Sequence, residues 1–303
     1  MSLYHCSLVS AFHMIKNPYQ PRRSLIFTNG LRPEMFAKAL NSGADMVCVD
    51  LEDAIAPEHK DQARKFTLSL FNGAGVDDGA GDRVERLIRI NGLRTAEGLA
   101  DILAVLASPT PPPALMLPKI KSPDEIRLLE ELLDGRHSTI RFHVIIETNE
   151  GLEACYEIAR SSRRIDSLLF GAFDMAADLR VEPEWETLLY ARSRVVHAAA
   201  AAGLDLIDVP FLDLEDEAGL DAAATAAAAL GMTGTAAIHP KQIPVINQRF
   251  TPTAELVARA RRTIAAFEAG DGGLVVVDGK LIEKPVLRAL YRILAIADRV
   301  GGD

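Results

Sequence analysis

Eight short apolar runs at regular intervals constrain this chain more than any other feature. They lie at Ser24–Phe27, Met46–Asp50, Leu87–Ile90, Ala114–Leu117, His143–Ile146, Ser167–Phe170, Asp205–Val209 and Thr235–Ile238. Most are near-continuously apolar instead of alternating, which is the pattern of parallel strands covered on both faces. Helical patterns fall between them, at Pro33–Ser42, His59–Phe71, Thr95–Ala107, Ser122–Leu133, Gly151–Arg160, Trp185–Ala202 and Ala218–Leu230. The alternation predicts an α/β fold, a TIM (β/α)8 barrel, with a doubly wound open sheet as the competitor.

The barrel is assigned to residues 1–250 and a C-terminal helical extension to residues 251–303. The extension holds a helix over Thr253–Glu268, a hairpin-like stretch at Leu274–Lys280 and a last helix over Pro285–Val300. It is too small to be stable by itself. It is expected to pack on its own barrel or on a neighbouring subunit, so a homo-oligomer is expected. The glycines of Gly73–Gly81 follow a helix and precede a strand, the wrong order for a phosphate loop.

The 303 residues are 49% hydrophobic and 25% charged, as in ordinary globular proteins, and the formal net charge is −9. An acidic chain gains nothing from the field of nucleic acid or of an anionic membrane, so neither is expected as a partner. No apolar run reaches the roughly 18 residues of a membrane span. Cys6, Cys48 and Cys155 are far apart and have no metal-ligand spacing, which predicts a reducing, cytoplasmic setting.

A barrel of this kind carries its active site at the C-terminal ends of the strands. The residues ending the runs are therefore the candidates. Carboxylates dominate: Asp50, Glu52, Asp53, Glu147, Asp174 and Asp208. Crowded like charges call for a cation, and two oxygen ligands plus water suit Mg²⁺, with Glu147 and Asp174 as the pair. Capping of the following helices is the alternative role for such acids. Arg89 is placed to hold a carboxylate or an oxyanion with its planar fork, or else simply pairs with Glu52 or Asp53. His239 is read as a hydrogen-bonded histidine in preference to a base. Lys119 is read as a solvated or ion-paired lysine in preference to a Schiff-base amine.

The stretches RSLIFTNGLRPEMFAKAL (23–40), GADMVCVDLEDAIAPEHKDQAR (43–64), RIN (89–91), LPK (117–119), IIETNEGL (145–152), FGAFDMAADLR (170–180), GMTGTAAIHPKQI (231–243) and DGKLIEKPV (278–286) form one ordered set. In them the chain resembles the CitE-like branch of the HpcH/HpaI aldolase and citrate lyase superfamily, which includes malyl-CoA and citramalyl-CoA lyases and the citrate lyase β subunit. The resemblance implies a TIM barrel with a C-terminal extension, in trimers or hexamers. It implies Mg²⁺ on Glu147 and Asp174, and Arg89 at the thioester or enolate oxygen, backed by Glu52 and Asp53. It implies Arg32 and Lys38 near the phosphates of a CoA thioester substrate, with a 2-oxo acid as the other partner. It also implies an acid/base carboxylate in the tail, where this chain has Glu283 instead of the expected Asp. FTNG stands where FVPG is usual, and Glu150 adds an acid to the ETxxGL pattern. Three other readings stay open: a citrate lyase β subunit using a carrier-protein thioester, a CoA-free 2-oxo-acid aldolase, and a non-catalytic ligand-binding barrel.

Overall fold

The computed structural model describes residues 21–71, 84–269, 275–277, 280–282 and 284–300. The Gly73–Gly81 loop and Glu283 lie outside the described residues. The rest forms two compact units, Arg22–Phe250 and a C-terminal unit from Thr251 onward.

Eight parallel strands close the first unit into a barrel: β1 (Ser24–Asn29), β2 (Met46–Asp50), β3 (Glu85–Arg89), β4 (Ala114–Leu117), β5 (Arg141–Ile146), β6 (Ile165–Phe170), β7 (Asp205–Asp208) and β8 (Gly234–Ala237). Each strand pairs with the next, and β1 closes on β8 with Leu25 opposite Ala236. An open sheet would have left two edges, so the closure decides for the TIM barrel.

Period-two alternation sorts the strands into two cores. Leu25, Met46, Cys48, Leu87, Met116, Ile145, Leu169, Ile207 and Ala236 form the barrel interior. The intervening residues, such as Ile26, Val47, Ile88, Leu115, Val144 and Phe170, pack under the surrounding helices. These are α1 (Pro33–Leu40), α2 (Lys60–Ser69), α3 (Ala96–Ala107), α4 (Pro123–Leu132), α5 (Asn149–Glu153), α6 (Cys155–Ala159), α7 (Ala172–Leu179), α8 (Trp185–Ala202), α9 (Glu217–Leu230) and α10 (Ile243–Phe250).

The inward-facing series becomes polar at both ends. At the N-terminal end Arg22 bonds Glu85 (2.6 Å), Asp166 (3.1 Å) and Asp205 (3.1 Å). Buried His143 lies 3.2 Å from Glu85 and bonds Ser167 at 2.7 Å. Glu85, His143 and Asp166 stand close enough together to resemble a metal site. Arg22 already supplies the cation there, so this end is a plug that serves stability.

In the C-terminal unit, α11 (Ala254–Glu268) and α12 (Lys284–Val300) share a small core of Ala260, Ile264, Phe267, Leu287 and Leu290. Between them β9 (Val275–Val277) and β10 (Lys280–Ile282) form an antiparallel pair, where the sequence suggests a hairpin.

Candidate active site

At the C-terminal end of the barrel, two further residues along the inward series bring Asp50 after Cys48, Arg89 after Leu87, Glu147 after Ile145 and Gly171 after Leu169. Local alternation alone therefore aims these four into one mouth.

Asp50 does two jobs. Its oxygens accept the main-chain N–H groups of Glu52 (2.9 Å) and Ala54 (3.1 Å), which turns the chain after β2. The same oxygens take Arg89 in a bidentate fork, Nε at 2.7 Å and Nη2 at 2.6 Å. Arg89 Nη1 lies 3.1 Å from Glu52 Oε2 but 3.9 Å from Asp53, whose side chain is 55% exposed. The Phe27 ring lies 5.1 Å from the guanidinium. Burial opposes the charge on Arg89, and Asp50 and Glu52 more than offset this, so it stays firmly protonated. The sequence names Glu52 and Asp53 as the support for Arg89; Asp50 is the tightest partner.

Glu52 is buried, and burial pushes its carboxyl up against the pull of Arg89 and Lys119. Lys119 Nζ lies 2.8 Å from Glu52 Oε1 and 3.3 Å from Asp53 Oδ1. Burial would lower the ammonium's pKa, but Glu52 and Asp53 raise it well above the ordinary lysine range. A free amine for imine formation is thus disfavoured, and the ion-paired reading of Lys119 holds.

Glu147 is 3% exposed. Its Oε1 accepts the main-chain N–H of Lys119 at 2.7 Å. Burial, with Glu52 and Asp174 beside it, pushes its carboxyl up to about 8. Asp174 sits in the first turn of α7, half-buried, and accepts no hydrogen bond among the described residues. Gly171 makes the room: a Cβ there would stand 2.5 Å from both Cβ and Oε2 of Glu147. Among the described residues, the mouth thus sets the side chains of Asp50, Glu52, Asp53, Glu147 and Asp174 against those of Arg89 and Lys119. With Glu147 ionised the acids outnumber these cations, and an excess of carboxylates of which one is buried fits a hard divalent cation.

Arg32 and Lys38 are exposed and make no side-chain hydrogen bond or ion pair among the described residues. The extra acid Glu150 is neutralised by Lys121 Nζ at 2.5 Å. His239 is a cap: its Nδ1 accepts from Lys241 N (3.1 Å), while Gln242 Oε1 accepts from His239 N (3.3 Å). The IHPKQI stretch is thereby explained by main-chain geometry at the end of β8. Thr148 likewise caps α5 by accepting from Gly151 N at 3.0 Å.

Sequence reasoning missed Lys60. Its Nζ donates to Leu51 O (2.8 Å), Glu52 O (2.6 Å) and Asn91 Oδ1 (2.7 Å), clamping the ends of β2 and β3 together. Asn91 in turn donates to buried Asp101, which accepts from Arg64. Two of the three Lys60 partners are carbonyls, which every sequence contains, so no residue pattern signals the clamp.

A (β/α)8 barrel with a guanidinium and a cation-ready acidic cluster at its C-terminal mouth is the layout of a barrel enzyme. Residues 23–240 match the family model HpcH/HpaI aldolase/citrate lyase, and the chain belongs to that family. It is 32% identical to the L-malyl-CoA/beta-methylmalyl-CoA lyase of Cereibacter sphaeroides, over 94% of this chain and 97% of that protein. It is 31% identical to the mitochondrial citramalyl-CoA lyase of Mus musculus, over 93% and 88% of the two chains. Among solved structures, it resembles CitE from Mycobacterium tuberculosis in complex with magnesium, acetoacetate and coenzyme A. That likeness has a TM-score of 0.73 and 30% identity, and covers 93% of this chain and 99% of that one.

Proposed function

We propose that the protein is a Mg²⁺-dependent carbon–carbon lyase. It cleaves a short 3-hydroxyacyl-CoA thioester, such as malyl-CoA or citramalyl-CoA, into acetyl-CoA and a 2-oxo acid, or runs the reverse condensation. The observation that carries this reading is the buried Glu147 carboxylate, held by one main-chain donor and left beside Asp174 with unbalanced negative charge.

Cleavage passes the 3-hydroxyl proton to water, breaks the Cα–Cβ bond, turns the hydroxyl carbon into the carbonyl of the 2-oxo acid and leaves the bond's electron pair on the thioester as an enolate. A proton delivered to that carbon completes acetyl-CoA. Glu147 and Asp174 would hold Mg²⁺, which polarises the substrate's carboxylate and hydroxyl when bound. Arg89, locked in orientation by Asp50 and backed by Glu52 and Asp53, donates to the enolate oxygen as negative charge develops there. Preorganisation matters because the fork needs no rearrangement during the reaction. Glu283 is the assigned acid/base carboxylate, and its protonated form delivers the proton to carbon. Arg32 and Lys38, unpaired among the described residues, are assigned to the CoA phosphates. The reading extends to a homo-oligomer, a trimer or hexamer, in the cytoplasm.

The test incubates the protein with Mg²⁺ and (S)-malyl-CoA, both citramalyl-CoA enantiomers or β-methylmalyl-CoA, and traps glyoxylate or pyruvate as the hydrazone. Release that EDTA and Glu147→Gln both abolish supports the lyase. A folded, Mg²⁺-binding protein that releases nothing from any of these thioesters refutes it.

A further inference from the structure

Lys119 and Arg180 are the described non-glycine residues with positive φ, and Lys119 alone of the two stands among the mouth carboxylates. Its φ of 54° is a conformation that glycine adopts freely and lysine does not. A lysine kept there at backbone cost points to work done by its side chain.

The conformation has a consequence. Just beyond β4, it aims the N–H of Lys119 at Glu147 Oε1 (2.7 Å) while the side chain reaches Glu52 Oε1 (2.8 Å). One residue thus touches the two carboxylates that matter most, through two different groups. Glu52 lies between two cations, one per oxygen: Lys119 on Oε1 and Arg89 on Oε2. With Lys119 present, Arg89 is only one of two counter-charges for this buried acid. With Lys119 gone, the buried carboxylate must lean wholly on Arg89 or take up a proton. Either outcome withdraws donor strength or geometry from the guanidinium.

We infer that Lys119 is a positioning residue with divided labour. Its main-chain N–H orients the metal carboxylate Glu147, and its ammonium shares the charge of Glu52 so that Arg89 keeps a donor for the substrate oxygen. The inference rests on the lyase reading above and adds a residue to it.

The division can be tested because glycine separates the two groups. Lys119→Gly keeps the backbone conformation and the N–H but removes the ammonium. The expected result is a Mg²⁺ Kd, measured by calorimetry on the metal alone, within about threefold of the parent, a KM changed little, and a kcat lowered roughly 10- to 100-fold. Lys119→Ala should show the same kcat loss and melt about 2–4 °C below the glycine variant, since only alanine is strained at this φ. Lys119→Arg should regain at least about tenfold of the lost kcat, because a guanidinium restores the charge. A guanidinium forms no imine, so such rescue also separates a charge role from a covalent one.

An unchanged kcat in Lys119→Gly overturns the inference. So does a Mg²⁺ affinity that falls in step with kcat, because the ammonium would then serve the metal carboxylates directly. Failure of arginine to rescue overturns the charge-sharing role. Glu147→Gln is measured beside these variants. Undiminished Mg²⁺ affinity in Glu147→Gln overturns the metal reading and this inference with it. Lost affinity there, together with parental kcat in Lys119→Gly, overturns the inference alone.

Discussion

Gly171→Ala is the most economical perturbation of the site, because it adds one methyl group at a position whose backbone tolerates it. Gly171 has a φ of −92°, so only space is at issue. The new Cβ would stand 2.5 Å from Glu147 Cβ, 2.5 Å from Glu147 Oε2 and 3.1 Å from Ile145 Cγ2. Bringing the first two contacts out to the 3.4 Å of ordinary contact needs about 0.9 Å of movement. Rotation of the carboxylate cannot supply it, because Cβ of Glu147 is also struck and Oε1 is tied to Lys119 N. Either Glu147 retreats, or the start of α7 moves outward and carries Asp174 with it. In both cases the two carboxylates separate. Overpacking of this kind costs about 1–3 kcal/mol of stability, and a misplacement near 1 Å at reacting groups costs about 10²-fold in rate. The assay pairs thioester cleavage with calorimetric Mg²⁺ titration and thermal unfolding. The expected result is a folded protein with weaker Mg²⁺ binding and roughly 10²-fold lower kcat/KM. Parental activity and Mg²⁺ affinity in Gly171→Ala would refute the claim that this glycine makes room for a metal carboxylate.

Other expectations follow from the same geometry. Arg89→Lys keeps the charge but loses the fork onto Asp50, so kcat should fall about 10²–10³-fold while Mg²⁺ affinity, read by calorimetry, stays near the parental value. Burial, Glu52 and Asp174 push Glu147 up to about 8, so Mg²⁺ displaces a proton at neutral pH. Its affinity should rise about tenfold per pH unit up to roughly pH 8 and then level off. A raised carboxyl pKa stabilises the fold fully below the ordinary carboxylate range, and this contribution is lost as pH rises through about 8. The metal-free melting temperature should therefore fall over that range in the parent, and measurably less in Glu147→Gln. At the other end of the barrel, burial pushes Glu85 up, but His143 and Arg22 outweigh it and hold the carboxyl well below its usual range. That stability is present above the usual carboxylate pKa and is lost as pH falls. Arg22→Met removes the guanidinium that Glu85, Asp166 and Asp205 share, while Asp166 keeps Arg141 and Glu85 keeps His143, so urea unfolding should show a loss of about 3 kcal/mol and acid unfolding should begin at higher pH.

The barrel was legible in the sequence because its signal is local. Parallel strands covered on both faces must be apolar nearly throughout, and helices must separate them, so both patterns are written in consecutive residues. Met46–Asp50 and Ala114–Leu117 are recovered to the residue, and the other strands differ by a few positions at their ends. The misses have local causes too. The helix Ala172–Leu179 directly follows β6, the helix Ile243–Phe250 follows a single 3-10 turn after β8, and both are only eight residues long, too short for a long amphipathic repeat. The candidate carboxylates Glu52, Asp53, Glu147 and Asp174 were legible for the same reason as the strands, since a residue just past a strand end is at the mouth wherever the strands close.

The pairings within the mouth were not legible. Asp50 grips Arg89 across 39 positions, and Lys119 bonds Glu52 across 67, contacts that exist only after eight strands have closed. Lys60 clamps main-chain carbonyls, which carry no residue identity. Gly171 matters for the volume it leaves beside a side chain from another strand. The sequence by itself determined the architecture and the stock of charged groups at the strand ends, because periodicity and chain order are one-dimensional. Tertiary structure alone decided which cation meets which acid, and how deeply each carboxylate is buried, because burial and distance arise only when remote strands come together.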